Sequence, residues 1–371
     1  MSFRQRLSAI VASVARRVTP WEGWLYAAFA GLVVLFAARY FYGSLRLQTL
    51  YSHLWHHPEQ LSAASRGQAE GAWSAPLDDV FIHFDNARSA ARGMPFHWVE
   101  GNGYSSGGTS LAYPFVLALG WLAGWRGLSL MHFAAVLACV CTLGTLLAAR
   151  RMFRQLPRWS SYVAPFALLS VGALDWSLFS GMEVALFLAA WGLALVAWDD
   201  AWGLASAPPI ARARAAAWLG LAGAGVVLVR PEGVVIVALF AASFATVVWR
   251  LHGWRSAWAV VWRAAGPGIL IVAAHAVANR ILTGESSAAG AVVKLEMNDP
   301  YLTLTQVWGA WKFHFEYQVM RVTEYHLATH GRMGWLWWVF AVLPLGPRST
   351  RRFALLLWAS MLAWESVTAL N

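Results

Sequence analysis

Two adjacent carboxylates, Asp78 and Asp79, open the segment of this chain that is richest in residues capable of chemistry, residues 77–88. Side-by-side carboxylates repel unless a proton or cation lies between them, so one of the pair is a good proton acceptor near neutral pH. The same pattern also fits a helix start, with Asp78 as the N-cap and Asp79 in the first turn, together worth about 1–2 kcal/mol. A helix is predicted here because the apolar residues fall on one face and Gly93 can end it. That face comprises Val80, Phe81, Phe84, Ala87 and Ala91.

Three further motifs carry polar side chains beside apolar runs. A Gly- and Ser-rich stretch at 101–114 predicts a tight loop that can approach a ligand, but it lacks the lysine of a nucleotide-binding P-loop. Glu183 ends a Ser-Gly-Met-Glu motif, with Asp175 a few residues earlier, and Arg230 begins an Arg-Pro-Glu-Gly motif. An arginine at a membrane boundary needs a partner. Either Glu232 or a bound anion would satisfy Arg230, and the motif taken alone slightly favours Glu232.

The histidines give weaker signals. His53, His56 and His57 lie in a polar stretch without a carboxylate at a recognisable ligand spacing, and His326 and His330 lie one helical turn apart without the acids to complete a metal site. His275 and Asn279 share a face of an apolar segment. Buried polar groups in such a segment usually pair with each other or with a neighbouring helix, which is the expectation for these two.

Composition indicates that the solvent around most of this chain is lipid. Hydrophobic residues make up 59% of 371 residues and charged residues only 12%, with 24 tryptophans, a residue that collects at membrane interfaces. The two cysteines, Cys139 and Cys141, lie in one apolar run and predict neither a disulfide nor a metal site. The net charge of +10 comes from short arginine clusters between apolar runs, a pattern of membrane topology that excludes a nucleic-acid-binding face.

The predicted fold class is an all-α polytopic membrane protein with about nine transmembrane helices. An uncleaved first span follows an arginine-rich start, and segment 111–125 is expected to lie at the interface, because every short arginine cluster then falls on the cytoplasmic side. The N-terminus is therefore predicted inside. All acids except Glu22, Asp199 and Asp200 fall outside. The predicted spans are roughly 21–42, 128–149, 159–179, 182–198, 215–230, 233–249, 262–282, 333–347 and 353–369.

Residues 1–371 are expected to form a single transmembrane domain without internal repeats or a soluble domain. Two long external segments are predicted, a first loop at 43–127 with interfacial helices and a last loop at 284–332 that carries Lys294. Because the other loops are short, the external face of the bundle is the expected active surface.

The four motifs, in this order and all external, resemble the GT-C superfamily of integral membrane glycosyltransferases over about residues 20–300. The resemblance is carried by Asp78-Asp79 with Ala87-Arg88, by Gly-Gly-Thr-Ser-Leu-Ala-Tyr-Pro at 107–114, by Ser-Gly-Met-Glu at 180–183 and by Arg-Pro-Glu-Gly at 230–233. These motifs look like those of the bacterial arabinofuranosyl- and mannosyltransferase group. The last third shows little resemblance, and no C-terminal external domain of the kind many relatives use for acceptor binding is expected.

The resemblance implies an inverting transferase of the bacterial cytoplasmic membrane that takes a sugar from a polyprenyl-phosphate donor at the external face. It implies Asp78 or Asp79 as general base, with Asp78 favoured. Arg230, Lys294 and Arg280 would bind the donor phosphate, and Glu183, Glu232 and Arg88 would orient the acceptor or Arg230. The sugar and the acceptor, whether glycan, lipid or protein, stay open. So does the cofactor, since the paired aspartates permit a divalent cation and many relatives work without one.

Three alternatives remain at the level of sequence. A glycan ligase or another polyprenyl-carrier enzyme would use the same external face. A transporter predicts charged or broken helices near the middle of the membrane, often with repeats, whereas these spans are nearly free of acids. An integral acyltransferase would favour a buried histidine as base, for which His275 is the candidate.

Overall fold

A computed structural model describes residues 21–43, 75–155, 158–325 and 335–370. Within this part the chain is all-helical, with 81% helix and no strand, which confirms the predicted all-α class. Histidines 53, 56, 57, 326 and 330 lie outside the described residues, as does the arginine-rich start.

Fourteen α-helices are described, numbered here in chain order. They are α1 Trp21–Gly43, α2 Asp79–Ala91, α3 Tyr113–Leu122, α4 Leu130–Met152, α5 Arg158–Val163, α6 Gly172–Phe179, α7 Val184–Gly203, α8 Pro209–Val229, α9 Val234–His252, α10 Trp254–Thr283, α11 Ala289–Lys294, α12 Leu304–Tyr325, α13 Trp335–Val342 and α14 Arg348–Thr368. Short 3₁₀ turns join several of them, at Gly127–Ser129, Phe153–Gln155, Ala164–Ser170, Pro231–Gly233, Glu296–Asn298 and Leu343–Leu345.

Six helical segments of the described chain are long and apolar enough to cross a membrane, as in an integral membrane protein. They contain α1, α4, α7, α8, α9 and α10. These six correspond to predicted spans, but the predicted total of about nine is not confirmed.

The predicted span 159–179 is broken into Arg158–Ser170 and Gly172–Phe179, which meet at an angle of 77°. Pro165 opens the 3₁₀ stretch, where a missing N–H prevents the α-helical ladder from continuing. Counting this bent pair as one span raises the total to seven.

The two remaining predicted spans are not among these six. In the segment predicted at 333–347, which begins outside the described residues, α13 ends at Val342 and Pro344 follows in a 3₁₀ turn. In the last one, α14 is long enough at 21 residues but has three arginines in its first five residues. The interfacial candidate α3 has ten residues, about 15 Å, roughly half the thickness of a hydrocarbon core.

Two apolar cores meet at the start of α7. One core joins α7, α8, α9, α10 and α14, and the other joins α1, α2, α3, α4 and α6. Ala185 belongs to the second core and Phe187 to the first, so the beginning of α7 lies between them. Glu183, the residue before α7, is therefore held in the interior by packing on both sides.

Candidate functional site

Glu183 is the most deeply buried carboxylate of the described chain, with 0% of its surface exposed. Its Oε1 accepts a hydrogen bond from Arg230 Nε at 2.9 Å, and Arg230 Nη2 lies at an ion-pair distance of 2.7 Å from the same oxygen. The Arg230 side chain is 27% exposed. A buried carboxylate needs this kind of compensation, because an unpaired charge in the interior is very costly.

Two more polar side chains complete the surroundings of this carboxylate. His83 of α2 is 2% exposed, and its Nε2 lies 3.0 Å from Glu183 Oε2. That contact is an ion-pair distance without the direction of a good hydrogen bond, since Oε2 makes none among the described residues. Thr109 Oγ1 donates to Oε1 at 3.3 Å. We call His83, Thr109, Glu183 and Arg230 the Glu183 cluster.

The backbone before α7 aims Glu183 inward. Gly181 has a φ of +92°, a conformation that side chains rarely adopt, and a Cβ there would lie 2.8 Å from Met131 Sδ. The Gly181 carbonyl accepts a hydrogen bond from Tyr113 Oη at 2.6 Å. The Tyr113 ring in turn meets the His83 ring edge-on at 5.2 Å between centroids. Glycine and tyrosine together fix the turn that carries the carboxylate.

The Gly- and Ser-rich loop is bound to the end of α8. The backbone N–H groups of Leu111 and Ala112 both donate to the carbonyl oxygen of Leu228, at 3.1 and 2.9 Å. Leu228 lies two residues before Arg230, so this contact brings Thr109 and Arg230 to the same carboxylate. The segments 77–88, 107–114, 180–183 and 230–233 thus each contribute one residue to the Glu183 cluster, in which His83 and Glu183 are buried.

Protein surroundings set the protonation of Glu183, which precedes the span that begins at Val184. Burial alone raises the pKa of this carboxyl. The His83 contact and the charge of Arg230 outweigh burial and lower the pKa from 4.5 to about 2. Glu183 is therefore a fixed negative charge that holds Arg230, and it is unsuited to accept a proton.

The structure corrects the expected partner of Arg230. The sequence favoured Glu232, two residues away, but Arg230 turns to Glu183, 47 residues distant. Glu232 is half-buried, and its Oε2 has no partner among the described residues. Arg230 Nη1 likewise has no hydrogen-bond partner in the described part of the chain.

Asp78 and Asp79 lie outside the Glu183 cluster, exposed at the start of α2. The Asp78 carboxylate accepts from the Asp79 backbone N–H at 3.0 Å, the capping role that its position predicted. Asp79 stands in the first turn, and His83 follows one turn later on the same helix face. No group of three or more His, Cys, Asp or Glu residues in the described chain could hold a metal ion.

Arg88 and Arg280 are bound away from the cluster. Arg88 forms a two-pronged pair with Glu100, at 2.9 and 3.2 Å, and a third contact with Asp85 at 2.9 Å. Arg280 donates to the carbonyl of Gly284 and so caps its own helix. Lys294 is the last residue of α11, and its side chain lies outside the described part.

His275 and Asn279 pair as their spacing suggested, with Nδ2 of Asn279 3.3 Å from His275 Nε2. Tyr104 Oη donates to Asn279 Oδ1. This chain of contacts joins the Gly- and Ser-rich loop to α10.

His83 and Thr109 are the cluster members that the sequence motifs did not single out. His83 lies three residues after Val80 and four before Ala87, inside the apolar stripe of α2, so a polar residue on that stripe was the available signal. Phe81, assigned to the stripe, is 40% exposed, while Val80, His83 and Ala87 are buried. Thr109 carried no signal beyond its place in a glycine-rich loop.

Comparison with protein-family models, with characterised proteins and with solved structures gives no match. The interpretation of the Glu183 cluster therefore depends on its chemistry. A buried carboxylate that fixes a partly exposed guanidinium creates an oriented donor at the surface, suited to an anion. The exposed aspartate pair, on the same helix as His83, adds acceptors suited to a hydroxyl proton.

Proposed function

We propose that this chain is an integral membrane glycosyltransferase of the GT-C type, which transfers a sugar from a polyprenyl-phosphate donor to an acceptor hydroxyl with inversion. The observation that carries the proposal is the meeting of four sequence-distant motifs at Glu183. Such convergence at one end of a helical bundle favours a built site over four unrelated loop sequences. A lipid-linked donor keeps its chain in the bilayer and its sugar in water, so a reaction at a helix end suits it.

Asp79 is our choice of general base. Both aspartates are exposed. Asp78 caps α2 by accepting a hydrogen bond from the Asp79 N–H, and this leaves the Asp79 carboxylate as the one without a capping role. In the proposed step the acceptor O–H gives its proton to the Asp79 carboxylate as the oxygen bonds to the anomeric carbon. The bond from that carbon to the phosphate oxygen breaks, and polyprenyl phosphate leaves with the electron pair.

Arg230 is the proposed contact for the departing phosphate. Its side chain reaches the surface while Glu183 fixes its direction, and a positioned guanidinium stabilises charge that develops on phosphate oxygens. Because the Glu183 charge offsets that of Arg230, a second cation is needed for a doubly charged leaving group. Lys294 and Arg280 are the candidates that the resemblance offers, with Lys294 preferred because Arg280 caps its own helix.

The buried histidine gives the acyltransferase alternative a stronger candidate than His275, and its contacts argue against a catalytic role. His83 is 2% exposed and turns Nε2 toward Glu183, so a substrate hydroxyl cannot reach that nitrogen without displacing the carboxylate. Its geometry fits the role of holding Glu183. A glycan ligase would share the Arg230 contact and differ in its donor, a distinction that a donor assay can make.

The test is transfer by the Asp79→Asn variant. Purified protein in lipid nanodiscs is assayed for release of polyprenyl phosphate from polyprenyl-phosphate mannose and polyprenyl-phosphate arabinofuranose, with synthetic alkyl glycosides as acceptors. Loss of a general base lowers turnover by about 10²–10⁴-fold, so Asp79→Asn is expected to lose nearly all transfer.

Asp200→Asn is the matched control, because Asp200 is also half-exposed but pairs with Arg151 at the far end of α7. It is expected to keep wild-type turnover, and both variants should melt near the wild-type temperature. Full activity of Asp79→Asn would overturn the base assignment. Absence of transfer by the wild-type chain from either donor would overturn the glycosyltransferase proposal itself.

A further inference from the structure

A cavity of about 620 Å³ lies between the loop after α2 and the segment after α10. Trp98, Asn102 and Tyr104 line it from one side, and Thr283, Glu285 and Ser287 from the other. Sites for small organic ligands measure about 300–1,000 Å³. The volume is therefore suited to one or two sugar rings. We call it the lateral cavity.

The lining combines aromatic surface with neutral hydrogen-bonding groups. Trp98 is 42% exposed, which leaves much of its side-chain surface open to contact. The side chains of Asn102, Glu285 and Ser287 make no hydrogen bonds within the described residues and are exposed. A sugar ring has an apolar C–H face that packs on an aromatic ring and hydroxyls that both donate and accept.

The charges of the lining residues restrict the class of ligand that can bind. The lining contains one acid, Glu285, and no lysine or arginine among the described residues. Phosphates, nucleotides and anionic lipid headgroups need cationic donors, whereas the described lining residues offer neutral donors and acceptors. A calcium ion needs six or more oxygen ligands, usually with several carboxylates, and one exposed glutamate falls short. An uncharged molecule rich in hydroxyl groups fits best.

One loop contributes residues to both the lateral cavity and the Glu183 cluster. Residues 104–106 face the cavity, while Thr109, three residues further on, bonds to Glu183. Ser106 Oγ accepts from the backbone N–H of Ala289 at 3.1 Å, which joins the two sides. An occupant of the cavity would therefore lie next to the loop that borders the proposed donor site.

We infer that the lateral cavity binds an uncharged sugar unit, with Trp98 as the stacking surface and Asn102 and Glu285 as hydroxyl partners. Its role as the acceptor site rests on the proposed function, but sugar binding itself does not. The acceptor class that follows is a neutral glycan, in preference to a phosphorylated or nucleotide-bearing molecule.

Direct binding is the first test. The full chain is placed in lipid nanodiscs free of glycolipid and of sugar-headed detergent, because those headgroups would compete. Saturation-transfer NMR is then recorded with methyl mannoside, methyl arabinofuranoside and mannobiose, with mannose 6-phosphate as the charged counterpart. Ligand-observed NMR is preferable to intrinsic fluorescence because the chain has 24 tryptophans. At least one neutral sugar is expected to bind saturably, and the phosphate at least tenfold more weakly.

Three variants test the assigned surface. Trp98→Ala is expected to weaken sugar binding about tenfold or more, since an aromatic contact of this kind is worth about that factor. Trp98→Phe keeps an aromatic face and should stay within about threefold of wild type, which separates loss of stacking from misfolding. Trp176→Ala is the matched control, because Trp176 is similarly exposed, at 40%, but lies on α6 outside the cavity lining.

The outcomes separate the two proposals. No saturable binding of any neutral sugar, or equal binding by Trp98→Ala and wild type, would overturn the cavity assignment. Sugar binding that depends on Trp98, in a protein without transfer activity, would support the cavity and sink the proposed transferase. If the wild-type chain transfers sugar and Trp98→Ala leaves the acceptor KM unchanged, the transferase proposal is supported and the lateral cavity is not its acceptor site.

Discussion

The carboxylates around the last turns of α7 and the carboxylate just before its first residue are buried to different degrees. At one end, Glu22, Asp199 and Asp200 pair with arginines while staying partly exposed, at 24%, 21% and 43% of their side chains. At the other end, Glu183 is fully buried. Helix α7 contains the contrast within itself, since Glu183 precedes its first residue and the two aspartates lie in its last turns, about 25 Å away by helical rise.

At the arginine-rich end, ion pairs connect side chains of different helices. Glu22 of α1 binds Arg150 of α4 at 3.0 Å and Arg158 of α5 at 2.7 Å. Asp199 binds Arg352 of α14 at 2.8 Å. Exposed ion pairs of this kind contribute little free energy each, and arginine clusters there fit a cytoplasmic face. The pattern is explained by helix packing and topology without a ligand.

At the Glu183 end, a carboxylate and an arginine are again paired, but more contacts fix their positions. The Glu183 carboxylate receives contacts from three different segments, and its partners Arg230 and Thr109 both reach the surface. A buried ion pair is weak evidence of stabilisation, because apolar residues of similar volume often serve as well. The Glu183–Arg230 pair is therefore better explained by the orientation that it gives to Arg230 than by a gain in stability.

The largest expected effect comes from neutralising Glu183. Glu183→Gln keeps the side-chain shape but leaves the Arg230 charge without its partner, and breaking a buried pair costs about 3–5 kcal/mol. Because Arg230 is 27% exposed and water can reach it, a loss at the lower end, about 3 kcal/mol, is expected. SDS titration in mixed micelles measures the free energy of unfolding.

Asp199→Asn is the counterpart at the other end and should cost about 1 kcal/mol or less, as partly exposed pairs do. Equal losses for the two variants would remove the distinction between the ends. They would show that Glu183 is held no more firmly than the arginine-rich face requires.

Acidification should reveal the same difference with a defined sign. The folded state lowers the Glu183 pKa from 4.5 to about 2, so its stabilising contribution is complete above about pH 5 and is lost as pH falls toward 2. A shift of this size corresponds to about 3 kcal/mol. The stability gap between wild type and Glu183→Gln should therefore be flat above about pH 5 and close below it.

Thermal unfolding at a series of pH values gives this gap, and subtracting the variant removes the titration of every other acid. A gap that stayed constant down to about pH 3 would contradict a carboxylate that protonates in this range only on unfolding. It would indicate that Glu183 stabilises the fold by its shape instead of its charge.

The sequence could predict the all-α class of this fold and the end at which the arginines cluster, because both depend on local patterns. Apolar runs identified the six helices of the described chain that are long and apolar enough to cross a membrane. The sequence could not predict the bend in the segment 159–179, because the extended backbone at Val171 is decided by local geometry inside apolar sequence. The sequence analysis also favoured Glu232 as the ion-pair partner of Arg230, because sequence patterns indicate nearby partners and do not indicate one 47 residues away.

The sequence predicted the motifs that contribute to the candidate site but missed two of the side chains that contact Glu183. Glu183 and Arg230 stood out because charges beside spans are rare, whereas His83 was hidden in an apolar stripe and Thr109 in a loop. Asp78 fulfilled the capping role that its position also allowed. Two equal neighbours gave no basis for choosing between the aspartates as the proposed base, and the capping hydrogen bond to Asp78 is the reason for proposing Asp79.

The last comparison concerns the backbone, because a glycine with positive φ lies at each end, Gly181 before α7 and Gly253 before α10. Gly253, between α9 and α10, has φ +78° and ψ 174°, and a Cβ added there would meet open space. Gly253→Ala should therefore cost only the backbone strain, about 1–3 kcal/mol. Gly181→Ala meets similar strain, and its methyl would also lie 2.8 Å from Met131 Sδ. Overpacking typically adds about 1–3 kcal/mol.

An excess loss of about 1–2 kcal/mol for Gly181→Ala is expected from SDS titration, since Met131 is flexible and can yield part of the space. In a Met131→Ala background, Gly181→Ala should lose most of that excess, and the close contact with Val80 Cγ1 at 3.1 Å should keep the rest. If the two glycine variants lost equal stability, the turn before Glu183 would be no more tightly packed than a loop at the arginine-rich end. Fixed geometry at Glu183 would then have to come from Tyr113 and the ion pair alone, because the backbone turn would not supply it.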